Sequence, residues 1–268
     1  HLAGRPDKLY PWEVGKDLST QLLGKTIEYY DELPSTNRRA KEILGTASEG
    51  TLVLAETQTA GRGRLGRSWH SPSSAGVWLS LILQPSLAPA ELPKLNLLAA
   101  VALSQTVSDV LGLRPLVKWP NDLLLDGRKI AGILIELAGD PSSICQVVIG
   151  IGINVNMTGA VADIDQPWAS LRGHTGQLID RTALALSLSH WMQRYLELHR
   201  EKGFSGLLQE WEACHLWQGA EVSLLAGPQR IDGVVLGVDR QGALRMRVAG
   251  EERHFSGGEL SLRLRDDS

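Results

Sequence analysis

The sequence predicts a mixed α/β (α+β) domain followed by a small all-β unit. Three observations carry this reading. Up to about residue 217, short β-branched and aromatic runs alternate with stretches of helical period. Two of those stretches, 91–111 and 181–202, are long enough to be core helices. After Gln218 the texture changes to "AEVSLLA", "RIDGVVLGVD", "GALRMRVAG" and "EERHFSGGELSLR", short strands parted by Gly and Asp turns. That is the pattern of a β-barrel of about 50 residues. The expected divisions are a lead segment (1–23), a main domain (24–217) and a C-terminal barrel (218–268).

Taken in order, the lead holds a helical turn after Pro11, and "KTIEYYDEL" reads as a strand. "STNRRAKEIL" reads as a helix that Ser35 or Thr36 can cap. "TLVLAET" (51–57) and "GVWLSLILQ" (76–84) are strands on either side of a glycine–arginine loop. Between 91 and 111, Leu92, Leu95, Leu98, Ala99, Ala102, Val107 and Val110 suit one helix face. "LVKWPND" ends a strand at Pro120. "LLLDGRKIAGILIEL" is a hairpin turning at Asp126-Gly127, and "CQVVIGIGINVNM" is a further strand. Leu184, Leu188, Trp191, Tyr195 and Leu198 step by four and three along an amphipathic helix. A last helix is expected over 205–217.

Composition excludes several function classes. A net charge of −3 argues against nucleic-acid binding by the whole chain. Two cysteines, Cys145 and Cys214, are too few for a disulfide framework and fit a reducing cytosol. No apolar run reaches the ~18 residues of a membrane span, and no signal peptide is visible.

"GRGRLGRSWHSP" (61–72) is the most unusual stretch. Gly61, Gly63 and Gly66 make the backbone soft, while Arg62, Arg64 and Arg67 make it cationic. A plain surface turn would account for it. An anion-binding lid accounts for it better, because glycines let backbone N–H groups turn toward phosphate and arginines supply paired donors. Ordering about ten residues costs on the order of 10 kcal/mol of chain entropy, so such a lid should order only over ligand.

No P-loop closes a glycine run. "GIGIN" (150–154) lies inside an apolar strand without a third glycine, so its glycines are expected to admit a close neighbour rather than a dinucleotide. Lys129 starts a buried strand that ends at Glu136. Nucleophilic triads and metal-ligand spacings are missing. The parts on offer are arginine, lysine, backbone N–H and one or two acids. That set suits adenylation, in which a substrate carboxylate attacks the α-phosphate of ATP.

Six motifs then occur in one order: "STN" (35–37), "AETQTAGRGRLGR" (55–67), "KWPND" (118–122), "GRKIAGILIE" (127–136), "GIGINV" (150–155) and "GGELSLR" (257–263). In this the chain resembles the bacterial biotin protein ligases over about residues 24 to 268. The related lipoate ligases share the fold but differ at the arginine loop; a lipoate or octanoate ligase is the alternative enzyme reading. The resemblance implies a mixed central sheet with packed helices, like class II synthetases, and an SH3-like C-terminal barrel. It implies activation of biotin with Mg-ATP to biotinyl-5′-adenylate, then transfer to one lysine of a biotin carboxyl carrier protein.

By the same resemblance Ser35, Thr36, Asn37 and Gln58 surround biotin, with Gly132, Leu134 and the backbone near Gly150 lining the apolar part. Arg62, Gly63 and Arg64 form the lid. Lys129 holds the α-phosphate and the biotin carboxylate. Arg62, Arg64, Arg67, Trp69, Asn121, Lys129 and Asn154 are implied at the nucleotide. Asp122, with Lys129 and Arg64, is implied in catalysis, as an aid to deprotonating the incoming lysine. Magnesium is implied mainly on the ATP phosphates, with no protein ligand assigned. Leu65 departs from the family, where a basic residue is common. Many relatives also carry an N-terminal winged helix-turn-helix and repress biotin synthesis genes. Only 34 residues precede Ser35, too few for that domain and a linker, so no DNA binding is expected of this chain. Either the family member lacks the domain or it lies upstream of this sequence, and a biotin-operon repressor is then the alternative. A cytoplasmic location is expected, and a homodimer is left open.

Overall fold

The computed structural model describes residues 7–16, 18, 20–84, 92–138, 146–159, 166–256 and 260–265. Cys145 and Glu259 lie outside them. A short helix α1 (Pro11–Lys16) leads into β1 (Ile27–Leu33), α2 (Thr36–Ile43), β2 (Leu52–Gln58) and β3 (Gly76–Leu83). Helix α3 (Leu92–Leu111) follows, then β4 (Leu116–Lys118), β5 (Asp122–Leu125), β6 (Arg128–Ala138) and β7 (Gln146–Asn154). These seven strands form one mixed sheet in the order β1-β2-β3-β7-β6-β5-β4. Only β1 and β2 run parallel, joined by α2 as the crossover. The β5–β6 hairpin turns at Asp126 (φ 48°) and Gly127 (φ 74°), the pair of positive φ values that a two-residue turn requires.

The two faces of this sheet are built differently. Alternate residues Val77, Leu79, Leu81 and Leu83 of β3, Ile149, Ile151 and Ile153 of β7 and Ala131 and Ile133 of β6 join the main core. Helices α3 and α5 (Arg181–Lys202) belong to that core. Helix α2 packs on the opposite face over a second cluster that includes Ile43, Val53, Ile82 and Val148.

Helix α3 differs from expectation. Leu95, Leu97, Leu98, Val101, Leu103, Thr106 and Val107 are all buried, so the helix is apolar nearly all round. It is wedged among α5, the sheet and α6 (Leu208–Cys214), which leaves little surface for a polar face. The last expected helix also differs. A 3-10 turn (Phe204–Leu207) precedes α6, and α6 ends at Cys214 because the chain must turn at Trp217 (φ 69°). A five-residue helix α4 (Leu171–Thr175), capped by Ser170, carries no periodic signal and was not expected.

The tail forms β8 (Glu221–Ala226), β9 (Gln229–Val238), β10 (Leu244–Val248), β11 (Glu251–Phe255) and β12 (Leu260–Leu264). They make one antiparallel sheet in the order β11-β10-β9-β8-β12. Among the described residues β11 and β12 do not pair with each other, so the barrel is SH3-like but open. No helix of the described residues is long and apolar enough to cross a membrane.

Candidate active site

A hollow opens where the α2 face of the sheet changes from large to small side chains. Ile82 and Val148 fill the space under α2 at one end. Two residues further along their strands stand Ser80 and Gly150, paired across β3 and β7; Gly152 comes next and pairs with Gly132 of β6. A Cβ on Gly150 would fall 2.2 Å from Asn37 Oδ1, and one on Gly152 would fall 2.5 Å from Trp69 Nε1. The glycines of "GIGIN" therefore admit two side chains onto the sheet, as their place in an apolar strand suggested.

Polar groups enter the hollow from the N-terminus of α2. Ser35 is its N-cap residue, but its side chain makes no capping bond; it lines the cavity instead. The Thr36 amide donates to Gln58 Oε1 (2.8 Å), and Gln58 Nε2 donates to Ser71 Oγ (2.8 Å). Thr36 and Asn37 are buried.

The glycine–arginine loop folds back on itself over this floor. Trp69 N–H donates to Gly61 O, Gly63 N–H to Arg67 O, and Arg62 bridges to Ser68. Leu65 occupies the left-handed region (φ 58°) and is exposed. Arg64 turns inward. Its Nη1 donates to Asn121 Oδ1 (2.8 Å) and its Nη2 to Leu260 O of β12 (3.2 Å). One arginine thus ties the loop to both the main sheet and the C-terminal sheet. Asn121 is oriented in turn by donating from Nδ2 to Ile133 O (2.8 Å).

Lys129 Nζ lies 2.6 Å from Asp122 Oδ1 and 5.1 Å from the centre of the Trp69 ring. Trp69 stands edge-on to Trp78 at 6.5 Å. Its buried Nε1 has no hydrogen-bond partner among the described residues, which leaves a donor for a bound molecule.

Three connected spaces meet here. A cavity is lined by Ser35, Thr36, Asn37, Gln58, Arg62, Gly63, Arg64, Lys129, Gly132 and Leu134, together with Trp69, Asn121 and Gly150. A second space, toward the C-terminal sheet, holds Arg67, Asp122, Lys118 and Arg263. A third, on the other side of Trp69, holds Asn154, Gln166 and Trp168. The structure thus gathers the site residues singled out from the sequence, with Arg67 and Asn154 lining different spaces.

The sequence reading gave no role to Ser80, Glu136 or Lys118. Lys118 is buried at the end of β4, 5.6 Å from the Trp217 ring centre. Burial, and then the nearby Arg263, push its ammonium down to about 8. A lysine between Val117 and Trp119 at an apolar strand end was the available signal. Metal-binding donors are not assembled: no group of three His, Cys, Asp or Glu gathers among the described residues. Asp122 is engaged by Lys129, so the side chains present suit a metal carried on phosphate rather than one caged by protein.

Chemically, the site combines an amide-and-hydroxyl floor, a cationic rim and a cover. That arrangement can hold a neutral polar ring, place a carboxylate beside a polyphosphate, and keep water out.

The comparisons agree with that chemistry. Residues 29–154 match the model of the biotin/lipoate A/B protein ligase family. The bifunctional ligase/repressor BirA of Bacillus subtilis is 37% identical over 92% of this chain and 77% of its own length. The biotin–[acetyl-CoA-carboxylase] ligase of Paracoccus denitrificans is 35% identical over 80% of this chain and 90% of its own. Among solved structures, the biotin protein ligase from Aquifex aeolicus in complex with biotin and ATP superposes with a TM-score of 0.82. That match has 32% identity and covers 90% of this chain and all of that one. The chain belongs to the biotin protein ligases of this family.

Proposed function

We propose that this chain is a biotin–[acetyl-CoA-carboxylase] ligase. The carrying observation is the single cavity in which the Thr36, Asn37 and Gln58 floor meets Lys129 and Arg64 under the arginine loop. Groups suited to ring recognition and to phosphate neutralisation line the same cavity, which supports this reading.

In the first half-reaction a biotin carboxylate oxygen attacks the α-phosphorus of ATP. The bond to the β-phosphate oxygen breaks and pyrophosphate leaves. Lys129, released from Asp122 toward the phosphate, and Arg64 offset the charge that builds on the equatorial oxygens. Arg62 and Gly63 cover the ring. Trp69 and Asn154 border the base side of the nucleotide, while Arg67 and Asn121 border its phosphates. ATP brings magnesium on its own phosphates. In the second half-reaction the ε-amine of a carrier-protein lysine attacks the acyl carbonyl, AMP leaves and an amide forms. Asp122, freed from Lys129, accepts the proton that the amine sheds. The loop excludes water from the mixed anhydride between the two steps.

We place this reaction in a reducing cytosol, which the unpaired, buried Cys214 supports. The division at residue 218 is kept as the domain boundary, supported by β8 starting at Glu221. The test is pyrophosphate release with biotin and lipoate side by side, followed by labelling of a carrier domain. Release with biotin alone, followed by labelling, is the expected result. Release driven by lipoate would overturn the substrate assignment.

A further inference from the structure

Ser80 is fully buried in the middle of β3, a strand buried throughout. Its Oγ lies 2.5 Å from Asn37 Oδ1 and 2.8 Å from Thr36 Oγ1. A serine hydroxyl has one proton to give, so which partner receives it decides how the cavity floor is polarised.

The decision is made near the surface. Glu136 Oε1 accepts from Lys41 Nζ (2.6 Å), and Glu136 Oε2 accepts from Asn37 Nδ2 (2.8 Å). Burial alone would push the Glu136 carboxyl up; the bonds from Lys41 and Asn37 outweigh it and hold it below its ordinary value. An ionised carboxylate only accepts, so the Asn37 amide must turn its nitrogen to Glu136 and its oxygen to Ser80. The second Nδ2 contact, to Leu134 O at 3.3 Å, agrees with that orientation.

The Ser80 proton is therefore spent on Asn37, and Ser80 offers Thr36 only lone pairs. The Thr36 proton points to Ser80 Oγ, or to Gln58 Oε1 at 3.1 Å. Either way the proton is taken by a protein acceptor, Ser80 or Gln58, and is not offered to a bound molecule.

We propose that Glu136, Asn37 and Ser80 form a relay that commits Thr36 Oγ1 as an acceptor toward the cavity, so that Ser80 and Glu136 are positioning residues for recognition of a ring N–H. This rests on the biotin reading, in which that donor is a ureido N–H. The relay reads hydrogen-bond polarity where shape alone would admit any ring of similar size.

Glu136→Gln tests the relay from its outer end. Lys41 would retain the new amide oxygen, and the amide nitrogen would then face Asn37 Nδ2. Two donors cannot pair, so Asn37 would flip, Ser80 would donate to Thr36, and the Thr36 proton would be free to face the cavity. Ser80→Ala removes the relay at its centre, and Ser80→Cys restores a weak donor of similar size.

The experiment is steady-state pyrophosphate release for wild type, the three variants and the Ser80→Ala/Glu136→Gln pair, each varied in biotin and in ATP. Loss of one oriented bond in a buried floor is expected to raise the biotin KM about tenfold. The expected kcat stays within about threefold and the ATP KM is unchanged. Ser80→Cys should recover part of the loss, and the double variant should be no worse than the more severe single one. Glu136 is partly exposed, so its variant carries the test if Ser80→Ala does not fold. An unchanged biotin KM in folded Glu136→Gln, or equal losses in kcat and both KM values, overturns the relay. Wild type that releases no pyrophosphate with biotin would instead sink the biotin reading itself.

Discussion

Lys129 Nζ sits 2.6 Å from Asp122 Oδ1, the two residues lying on adjacent strands β6 and β5. Each therefore holds the other's charge while the site awaits its substrates. The pair makes a split prediction. Lys129→Ala should slow adenylate formation by about a hundredfold or more, as loss of a preorganised donor costs ~3 kcal/mol. Asp122→Asn should leave adenylation within about tenfold and slow transfer to the carrier more. Single-turnover measurement of the two half-reactions separates them. Equal losses in both steps for Asp122→Asn would show that the carboxylate serves only to place the lysine.

The loop prediction follows from Arg64, which bonds to Asn121 and to Leu260 O. Arg64→Ala removes both ties and a cation from the cavity. Free adenylate should then escape into solution at least about tenfold faster, the scale of one lost charged hydrogen bond. Residues 61–70 should also be cut by protease more slowly in the presence of biotin and ATP. Equal cutting with and without ligands would refute ordering of the loop by substrate.

How much of this was legible in the sequence depends on the kind of signal. Strands and hairpin turns were legible because alternation and Asp126-Gly127 are local. The arginine loop and "KWPND" were legible because their residue types are improbable in a core. Ser80 was not, since one serine in "GVWLSLILQ" looks like a tolerated polar residue until α2 is laid across it. Lys118 was quoted within its motif, yet its burial depends on Trp217, 99 positions later. The burial of α3 on most sides likewise depends on α5 and α6, which the local period of α3 cannot report.

Gly150 and Gly152 give a sharper test of the floor. Each faces a side chain that a methyl group would strike, Asn37 at 2.2 Å and Trp69 at 2.5 Å. Gly150→Ala should displace Asn37 and weaken biotin use. Gly152→Ala should displace the indole and weaken ATP use. A shift of about 1 Å can cost about a hundredfold in rate. Separate titrations of biotin and ATP check the assignment. If both variants damage the same substrate, the two glycines do not serve separate compartments.

Lys118 should trade stability for function. Its ammonium is lowered to about 8 from an ordinary 10.5, first by burial and then by Arg263. Between those two values the unfolded chain keeps a proton that the folded chain has released. Stability from this group therefore rises as pH climbs through that window, and at pH 7 the full penalty is present. The penalty is on the order of 3 kcal/mol, and the contact with Trp217 offsets about 1 kcal/mol of it. Lys118→Met should accordingly raise the Tm at pH 7 while raising the ATP KM. A lower Tm with unchanged ATP use would show that the buried charge is a structural asset.

Arg263 carries the last prediction, because it joins the C-terminal sheet to that same charge. It stands on β12, opposite Ser223 of β8, and shares its space with Arg67 and Lys118. Arg64, Arg67, Lys118, Lys129 and Arg263 border this space with Asp122 as its one carboxylate, so the cations repel each other until an anion arrives and favour a polyphosphate. Arg263→Glu removes one repulsion on Lys118 and adds an attraction. The Lys118 titration should therefore move up from about 8. The same change takes two units of positive charge from the space proposed for the phosphates. The ATP KM should rise about tenfold, which corresponds to ~1.4 kcal/mol, while biotin use, proposed for the cavity that Arg263 does not line, should not change. In wild type the ATP KM should climb as pH passes 8, when Lys118 loses its proton; in Arg263→Glu that climb should begin at higher pH. A pH series of ATP KM for both proteins makes the measurement. An unshifted alkaline limb would mean that Lys118 does not contribute its charge to nucleotide binding.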